Sequence, residues 1–480
     1  MVNIEIPCGV VVLAAGLGKR MHSSIPKVLH EVAGQPIIVH LLKRIGEALP
    51  KARVALVLGH GAEQVKTVIA NNGELQHLQL TFILQKEQLG TGHAVRCAIQ
   101  SEWGQGIIKE KLPVLVLPGD TPLLTAGLIS EMSSPLSNNK ALRLLTAQTT
   151  DPFGYGRVVR RGKSGPVLRI TEEKDASLRE KGINEVALSI YFFQAQFLKA
   201  GLERLSNKNA QKEYYLTDLV SQASRLKKKI DAVKWPNIDD VRGINDRWEL
   251  AIATRILNER CIKKWAKEGV TFVDPYTTHV EDTVILEPDV TISAGVTLSG
   301  TTKIERGTLI GPNVVLKDVK VGPDANIKVG TVAEKSIISA KAQVGPYAHF
   351  RPDSFVGEKA KIGNFVELKK ARIGANTNVA HLSYVGDAEI GERVNIGCGF
   401  ITCNFDGRII DGQRKHRTVI EDDVFMGSDC QVIAPIKIGK GAYVASGSTV
   451  TEDVEAGSLA IARSRQVNKP GYARKLKGQD

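Results

Sequence analysis

The sequence predicts three parts in order: an α/β N-terminal doubly wound (Rossmann-like) domain, a connecting helix, and a C-terminal left-handed parallel β-helix of hexapeptide repeats. Three observations carry that prediction. Apolar runs in the first half end in glycine and alternate with helical patterns. A long amphipathic stretch without Pro or Gly follows, from Asp246 to Lys267. Beyond it, apolar residues recur at steps of six: Leu286, Ile292, Leu298, Ile304, Ile310 and Leu316, then Val344, Phe350, Val356, Ile362 and Leu368, then Ile420, Met426, Val432, Ile438, Val444 and Val450. A period of six is neither helical nor alternating, and it fits a solenoid in which each hexad is one short strand and a corner.

In the first part, Val10 to Ala15, Val54 to Leu58 and Val114 to Pro118 are apolar on both faces, as central strands of a helix-covered parallel sheet must be. Helical patterns lie between them, at Pro36 to Ala48 and Gly92 to Gln100. Ligands of such a sheet belong at the carboxyl ends of its strands. The helix from Asp246 to Lys267 reads as a rigid connector, with Gly269 as its C-cap. This divides the chain into residues 1–240, a linker over 241–270, and the solenoid over 271–480.

Within the solenoid the phase slips by one residue between Leu368 and Ile373 and again between Val385 and Ile390. Regular coils would not break there without cause, so the slips suggest a surface shaped for a ligand. The segment Asn404 to Thr418 loses its apolar positions and reads as a loop leaving the prism. Its cluster Arg414-Lys415-His416-Arg417 suits an anionic neighbour or plain solvation equally.

Composition narrows the class. With 42% hydrophobic and 24% charged residues the chain reads as soluble and globular. A net charge of +13 points to anionic small molecules such as nucleotides, phosphosugars or coenzyme A. No arginine-rich or aromatic-interleaved basic motif suggests nucleic acid. The apolar run Val10 to Ala15 is too short to span a membrane, so no membrane insertion is expected. Six cysteines without a CxxC pair fit a reducing compartment, and the expected location is cytoplasmic.

The first candidate site is Leu13-Ala14-Ala15-Gly16-Leu17-Gly18-Lys19-Arg20-Met21, followed by Pro26-Lys27. A glycine turn lets backbone N–H groups approach phosphate, and Arg20 and Lys27 can neutralise a triphosphate. A tight strand-to-helix turn without a ligand has the same pattern, and the spacing is neither a Walker A motif nor a dinucleotide fingerprint.

The fuller pattern L-x-x-G-x-G-x-x-M with P-K closely resembles the signature of sugar-1-phosphate nucleotidyltransferases. Gln85-Lys86-Glu87-Gln88-Leu89-Gly90-Thr91-Gly92-His93-Ala94 looks like that family's uridine loop. Gly119-Asp120 looks like its metal-binding dipeptide, Gly154-Tyr155-Gly156-Arg157 and Glu172 its sugar side, and Gly243-Ile244-Asn245 the segment with a second metal ligand. With the hexads behind it, nearly the whole chain resembles the bacterial bifunctional N-acetylglucosamine-1-phosphate uridylyltransferase and glucosamine-1-phosphate acetyltransferase family. The resemblance implies attack of a sugar phosphate on the α-phosphorus of UTP, assisted by Arg20 and Lys27. Mg²⁺ would be held by Asp120 and Asn245. Leu13, Ala14, Ala15, Gly16, Gln85, Gly90, Thr91, Gly156 and Glu172 would line the nucleotide-sugar site. In the solenoid it implies His381 as general base toward the amine of glucosamine 1-phosphate. Arg351, Lys369, Tyr384 and Asn395 would hold that substrate. Cys398, Asn404, Phe405, Ser428, Ser446 and Arg463 would contact acetyl-CoA. It further implies a homotrimer and a product destined for cell-wall and lipopolysaccharide precursors.

The chain departs from the family pattern in places. After Glu185-Val186, Ala187-Leu188-Ser189 stands where Asn-Thr-Gly is usual, which removes a polar group from the sugar side. Lys19 replaces a common Thr, Pro118 an aromatic, Phe405 a Tyr and Cys398 an Ala, and the loop after Gly407 is longer. Two other readings are a first domain of altered sugar specificity or weak activity, and a non-catalytic nucleotide-binding regulatory subunit. The second is expected to lack a complete His381, Tyr384 and Asn395 set.

Overall fold

The computed structural model describes residues 7–478, except 138, 163, 410, 411 and 413. The chain folds as two compact units, Met1–Leu257 and Asn258–Asp480, and the division falls inside the helix Arg247–Lys267.

The first unit is built on a nine-stranded sheet among the described residues. Its strands are β1 (Gly9–Ala14), β2 (Arg53–Leu58), β3 (Gln79–Leu84), β4 (Val114–Pro118), β5 (Lys140–Gln148), β6 (Gly156–Arg160), β7 (Val167–Thr171), β8 (Glu185–Phe193) and β9 (Lys229–Trp235). The main path runs β9-β5-β8-β4-β1-β2-β3, with the hairpin β6-β7 joined to β8. β1 is parallel to both β2 and β4, and β8 is antiparallel to β4 and β5. Val10 to Val12 and Val54 to Val57 are fully buried because helices cover both faces. Connections from β1 lead to β2 on one side while β4 closes the other, so the crevice above β1 and β4 is the switch point of the sheet.

The second unit is a left-handed parallel β-helix with three sheets of 11, 10 and 9 short strands. Each strand pairs in parallel with the one a full coil later, as Ile292↔Ile310 and Leu298↔Leu316 do. The inward residues form one continuous apolar column from Val280 to Val454. A strand of two or three residues cannot bury a core alone, and stacking supplies it. Near the first coil, Asn258 accepts from Val280 N–H at 2.8 Å and donates to Thr278 O at 2.8 Å, and Cys261, Ile262 and Trp265 lie on the apolar column.

The corners hold one finding that the six-residue period did not predict and one that it did. First, the step between inward residues of the second and third sheets is five residues in four coils. It occurs at Leu316→Val321 and Ala333→Ile338 as well as at Leu368→Ile373 and Val385→Ile390. The shortened turn is therefore a property of this edge, which closes equally well with one residue fewer, and the slips by themselves mark no ligand surface. Second, the same edge carries the 404–417 excursion, between Thr402 and Thr418; positions 410, 411 and 413 of it lie outside the described residues. Corners also use left-handed backbone, which favours Gly, Asn and Asp. Tyr347, Phe365 and Leu382 adopt it too, with φ of 54°, 54° and 44°, at the same corner of three successive coils.

Candidate functional sites

In the first unit, the turn after β1 lies at the switch point. Gly18 has φ +58°, and a Cβ there would sit 2.8 Å from the Lys27 Cβ, so only glycine lets the lysine stem cross the turn. Gly119 N–H donates to Leu13 O at 2.8 Å, which brings the end of β4 against β1. Lys27 Nζ pairs with the Asp120 carboxylate, both largely buried. Ile244 N–H donates to Asp120 O at 2.9 Å, and a Cβ on Gly243 would lie 3.4 Å from Asp120 Oδ1. Asn245 N–H in turn donates to Glu249 Oε2 at 2.6 Å. Residues about 120 positions apart are thereby gathered at one point: Lys27 meets Asp120, and the backbone at Gly243 and Ile244, directly before Asn245, lies against Asp120. Arg20 is exposed on the short helix Lys19–Met21.

A carboxylate and an amide oxygen are the kind of sparse, hard donor set that suits Mg²⁺, whose shell is completed by water and phosphate oxygens. No group of three His, Cys, Asp or Glu gathers among the described residues, which leaves no all-protein metal cage there.

The loop after β3 comes to the same crevice. A Cβ on Gly59 would meet both Ala15 O and the Gln88 side chain within 3 Å. Gln85 is buried, and its Nε2 donates to Gly90 O at 3.3 Å and faces His93 Nδ1 at 3.0 Å. The loop is clamped by the chain at 214–216: Gly92 N–H to Tyr214 O and Tyr214 N–H to Leu89 O, each 2.8 Å, with Thr91 Oγ1 accepting from Leu216 N–H at 3.2 Å. One residue further, Thr217 donates to Glu172 Oε1 at 2.8 Å. The 214–217 segment thus ties Gln85, Gly90 and Thr91 to Glu172 and Gly156, whose Cβ would lie 3.5 Å from Glu172 Oε2. Burial pushes the Glu172 carboxyl above its ordinary range; the Thr217 hydroxyl opposes this, and Asp175, Asp218 and Glu213 add to it. Ala187 is buried in β8 opposite Gly156, and the strand bulges before Tyr191, with Ser189 at φ +56°. Ser189 thus takes a left-handed backbone at the position where the resemblance leads one to expect glycine. Tyr191 has no signature in the sequence; its hydroxyl is buried without a partner among the described residues.

In the second unit, strand register makes a column that linear spacing concealed. Ile362, Val379, Ile396, Met426 and Val444 are in register through successive coils. The residues two positions later are Asn364, His381, Cys398, Ser428 and Ser446. Asn364↔His381 is itself a paired position, and Ser446 Oγ accepts from Ser428 N–H at 3.2 Å. Arg463 extends this corner by one coil, its Cδ 3.7 Å from where a Gly447 Cβ would be. Three coil steps of about 4.8 Å put Ser446 roughly 14 Å from His381. His381 is exposed, and its Nδ1 lies 2.7 Å from Asn364 Oδ1, an acceptor. Nδ1 therefore carries the proton and Nε2 is left as a basic lone pair.

Across the next face, Arg351 N–H donates to Leu368 O at 2.8 Å, and Lys369 pairs with Gly386, which stacks Arg351, Lys369 and Gly386. Tyr384 lies across Gly386, where any Cβ would be 2.4 Å from its hydroxyl. Asn404 Nδ2 reaches Asp387 Oδ2 at 2.5 Å and the Tyr384 hydroxyl at 3.4 Å. Arg351 is 3.3 Å from Glu367. Asn395 stacks above Asn378 on the neighbouring sheet. Phe405 is exposed beneath Lys415, whose Nζ is 4.0 Å from the ring. Buried His416 ties the loop base, with N–H to Asn404 O at 3.0 Å and Nε2 3.1 Å from Asp406. Sequence reading missed Asn364 and Asp387; both are ordinary coil residues until the stacking is known.

The two units define a nucleotidyltransferase fused to a hexapeptide-repeat acyltransferase. Residues 10–178 match the MobA-like NTP transferase domain family, and residues 417–452 match the bacterial transferase hexapeptide family. The chain is 44% identical to the bifunctional protein GlmU of Pelobacter propionicus, over 97% of this chain and 98% of that protein. It is 43% identical to that of Halalkalibacterium halodurans (97% and 98%) and 42% identical to that of Streptococcus equi subsp. zooepidemicus (97% and 97%). The chain belongs to the bifunctional GlmU family, and is an enzyme with uridylyltransferase and acetyltransferase activities in the two-step synthesis of UDP-N-acetylglucosamine.

Proposed function

We propose that the second unit transfers the acetyl group of acetyl-CoA to glucosamine 1-phosphate, and that the first joins the product to UTP with release of pyrophosphate. The observation that carries the assignment of residues is the column from Asn364 to Ser446. It sets a tautomer-fixed imidazole at one end of a corner of small side chains long enough for an extended thioester cofactor.

His381 Nε2 takes a proton from the substrate ammonium, the freed amine attacks the thioester carbonyl, and the tetrahedral intermediate breaks its C–S bond, the departing CoA thiolate being protonated as the new amide nitrogen loses its extra proton. Nδ1–H to Asn364 strengthens as the ring gains charge. Arg351 and Lys369 neutralise the sugar phosphate, Tyr384 and Asn395 orient the ring, and Cys398, Asn404, Phe405, Ser428, Ser446 and Arg463 accept acetyl-CoA. In the first unit the turn at Leu13 to Gly16, with Arg20 and Lys27, binds the triphosphate. Gln85, Gly90 and Thr91 face the base, and Gly156 and Glu172 face the sugar. Asp120 and Asn245 would hold Mg²⁺, which supplies charge neutralisation at the phosphates. Lys27 exchanges its Asp120 contact for phosphate when UTP arrives. Domain limits of 1–240, 241–270 and 271–480 follow this division of labour.

We place the enzyme in the cytoplasm, among precursors for cell-wall and lipopolysaccharide synthesis; no helix of the described residues is long and apolar enough to cross a membrane. A homotrimer is supported by Tyr347, Phe365 and Leu382, each at least half exposed at one corner, which a second copy would cover. Sedimentation should give the mass of three chains.

A coupled assay with glucosamine 1-phosphate, acetyl-CoA, UTP and Mg²⁺ should yield UDP-N-acetylglucosamine. His381→Ala should abolish acetyl transfer and spare uridylyl transfer, and Asp120→Ala should do the reverse. Equal loss of both activities in His381→Ala would show a structural role instead.

A further inference from the structure

We propose that His93 is a positioning residue that fixes the orientation of the Gln85 side-chain amide, and so selects a base with a ring N–H, uracil, over cytosine. The inference rests on the reading that Gln85 faces the base in the first unit.

The chemistry follows from which atoms can donate. Gln85 Nε2 lies 3.3 Å from Gly90 O, and a backbone carbonyl only accepts. That end of the amide is therefore the NH₂. The same NH₂ lies 3.0 Å from His93 Nδ1, which must then accept. His93 is neutral in this arrangement, with its proton on Nε2. Nε2 is 3.8 Å from Cys97 Sγ, one turn along the helix Thr91–Gln100, a weak acceptor in the matching direction. The donor chain thus runs one way, from Gln85 to His93 to Cys97.

Both partners of the NH₂ are held in place. Gly90 has φ +102°, a backbone only glycine adopts readily, and its loop is clamped by the two 2.8 Å bonds to Tyr214. The His93 ring lies 6.3 Å from the Tyr214 ring, which carries the Arg96 guanidinium 4.4 Å from its centroid. Flipping the amide would set Gln85 Oε1 against Gly90 O, an obligate acceptor, and would force His93 to carry its proton on Nδ1 and give up the Nε2–H contact with Cys97. Oε1 is consequently presented as an acceptor. Uracil offers an N–H at ring position three, and cytosine offers a lone pair there. An acceptor meets the first and repels the second.

The test is kcat/KM for pyrophosphate release with UTP and with CTP, using N-acetylglucosamine 1-phosphate and Mg²⁺. Three full-length proteins are compared: wild type, His93→Leu and His93→Asn. Wild type should prefer UTP by at least about a hundredfold, as expected of a site built around a specific hydrogen bond. In His93→Leu the amide loses one of the two partners that orient it, and the UTP:CTP ratio should fall at least about tenfold. His93→Asn keeps an acceptor near the Nδ1 position and should retain most of the preference. Acetyl transfer by the same preparations checks that each variant is intact, and dissociation constants for both nucleotides give the ratio if turnover is slow. An unchanged ratio in His93→Leu, with both nucleotides slowed alike, overturns the inference and leaves the uridylyltransferase reading standing. Wild-type enzyme inert toward UTP overturns that reading and the inference with it.

Discussion

Asn364→Ala isolates the orienting group of the proposed general base. Asn364 Oδ1 is 2.7 Å from His381 Nδ1, and it is the side chain that holds that ring. The bond is neutral in the ground state and charge-assisted once the imidazole holds the substrate proton. A hydrogen bond to a charged group is worth about 1.5–3 kcal/mol, and the exposure of His381 favours the lower end. About 1.5 kcal/mol is roughly a tenfold loss in rate. Without the acceptor the ring also divides between two tautomers, which costs about a further factor of two. The expected result is kcat for acetyl transfer down about 10- to 30-fold, measured as release of the CoA thiol. KM values for glucosamine 1-phosphate and acetyl-CoA should stay near wild type, as expected of a group that acts through the base it orients. Asn364→Asp keeps an acceptor and should recover most of the rate, and uridylyl transfer should not change. Wild-type kcat in Asn364→Ala, or a loss confined to KM, would refute the orienting role.

Glu172→Gln tests the buried carboxyl of the sugar side. Burial raises its pKa above the ordinary 4.5, so the folded chain binds this proton more tightly than the unfolded chain does. The group favours folding below about pH 4.5, and that contribution is lost as pH rises through its folded-state value. Thermal melts of Glu172→Gln at about pH 8 should therefore exceed wild type, with the gap closing toward pH 4.5. A constant gap at every pH would mean that packing, and not charge, sets the difference.

The sequence by itself determined the two architectures. An apolar run ending in glycine and a six-residue apolar period are local patterns, set by which faces a strand must bury, and they survive any rearrangement of loops. It also determined the chemical inventory: Gly16, Lys27, Gln85 and Asp120 in one half, Arg351, Lys369, His381 and Tyr384 in the other. Tertiary structure alone decided how those residues meet. Which side chains stack in the solenoid depends on whether a coil takes 17 or 18 residues, or 30 where it carries the 404–417 loop (Ile396↔Met426), and that depends on corners whose length the apolar period does not fix. Asn364 beneath His381, and the corner shared by His381, Cys398, Ser428 and Ser446, follow from that count. The same dependence turned the phase slips from a mark of function into a property of one edge. In the first unit, the contact of Lys27 with Asp120 spans 93 residues and exists because β1 and β4 are neighbours. The orientation of Gln85 is set by a carbonyl and a ring nitrogen that converge only when the glycine turn at Gly90 folds the chain back on itself.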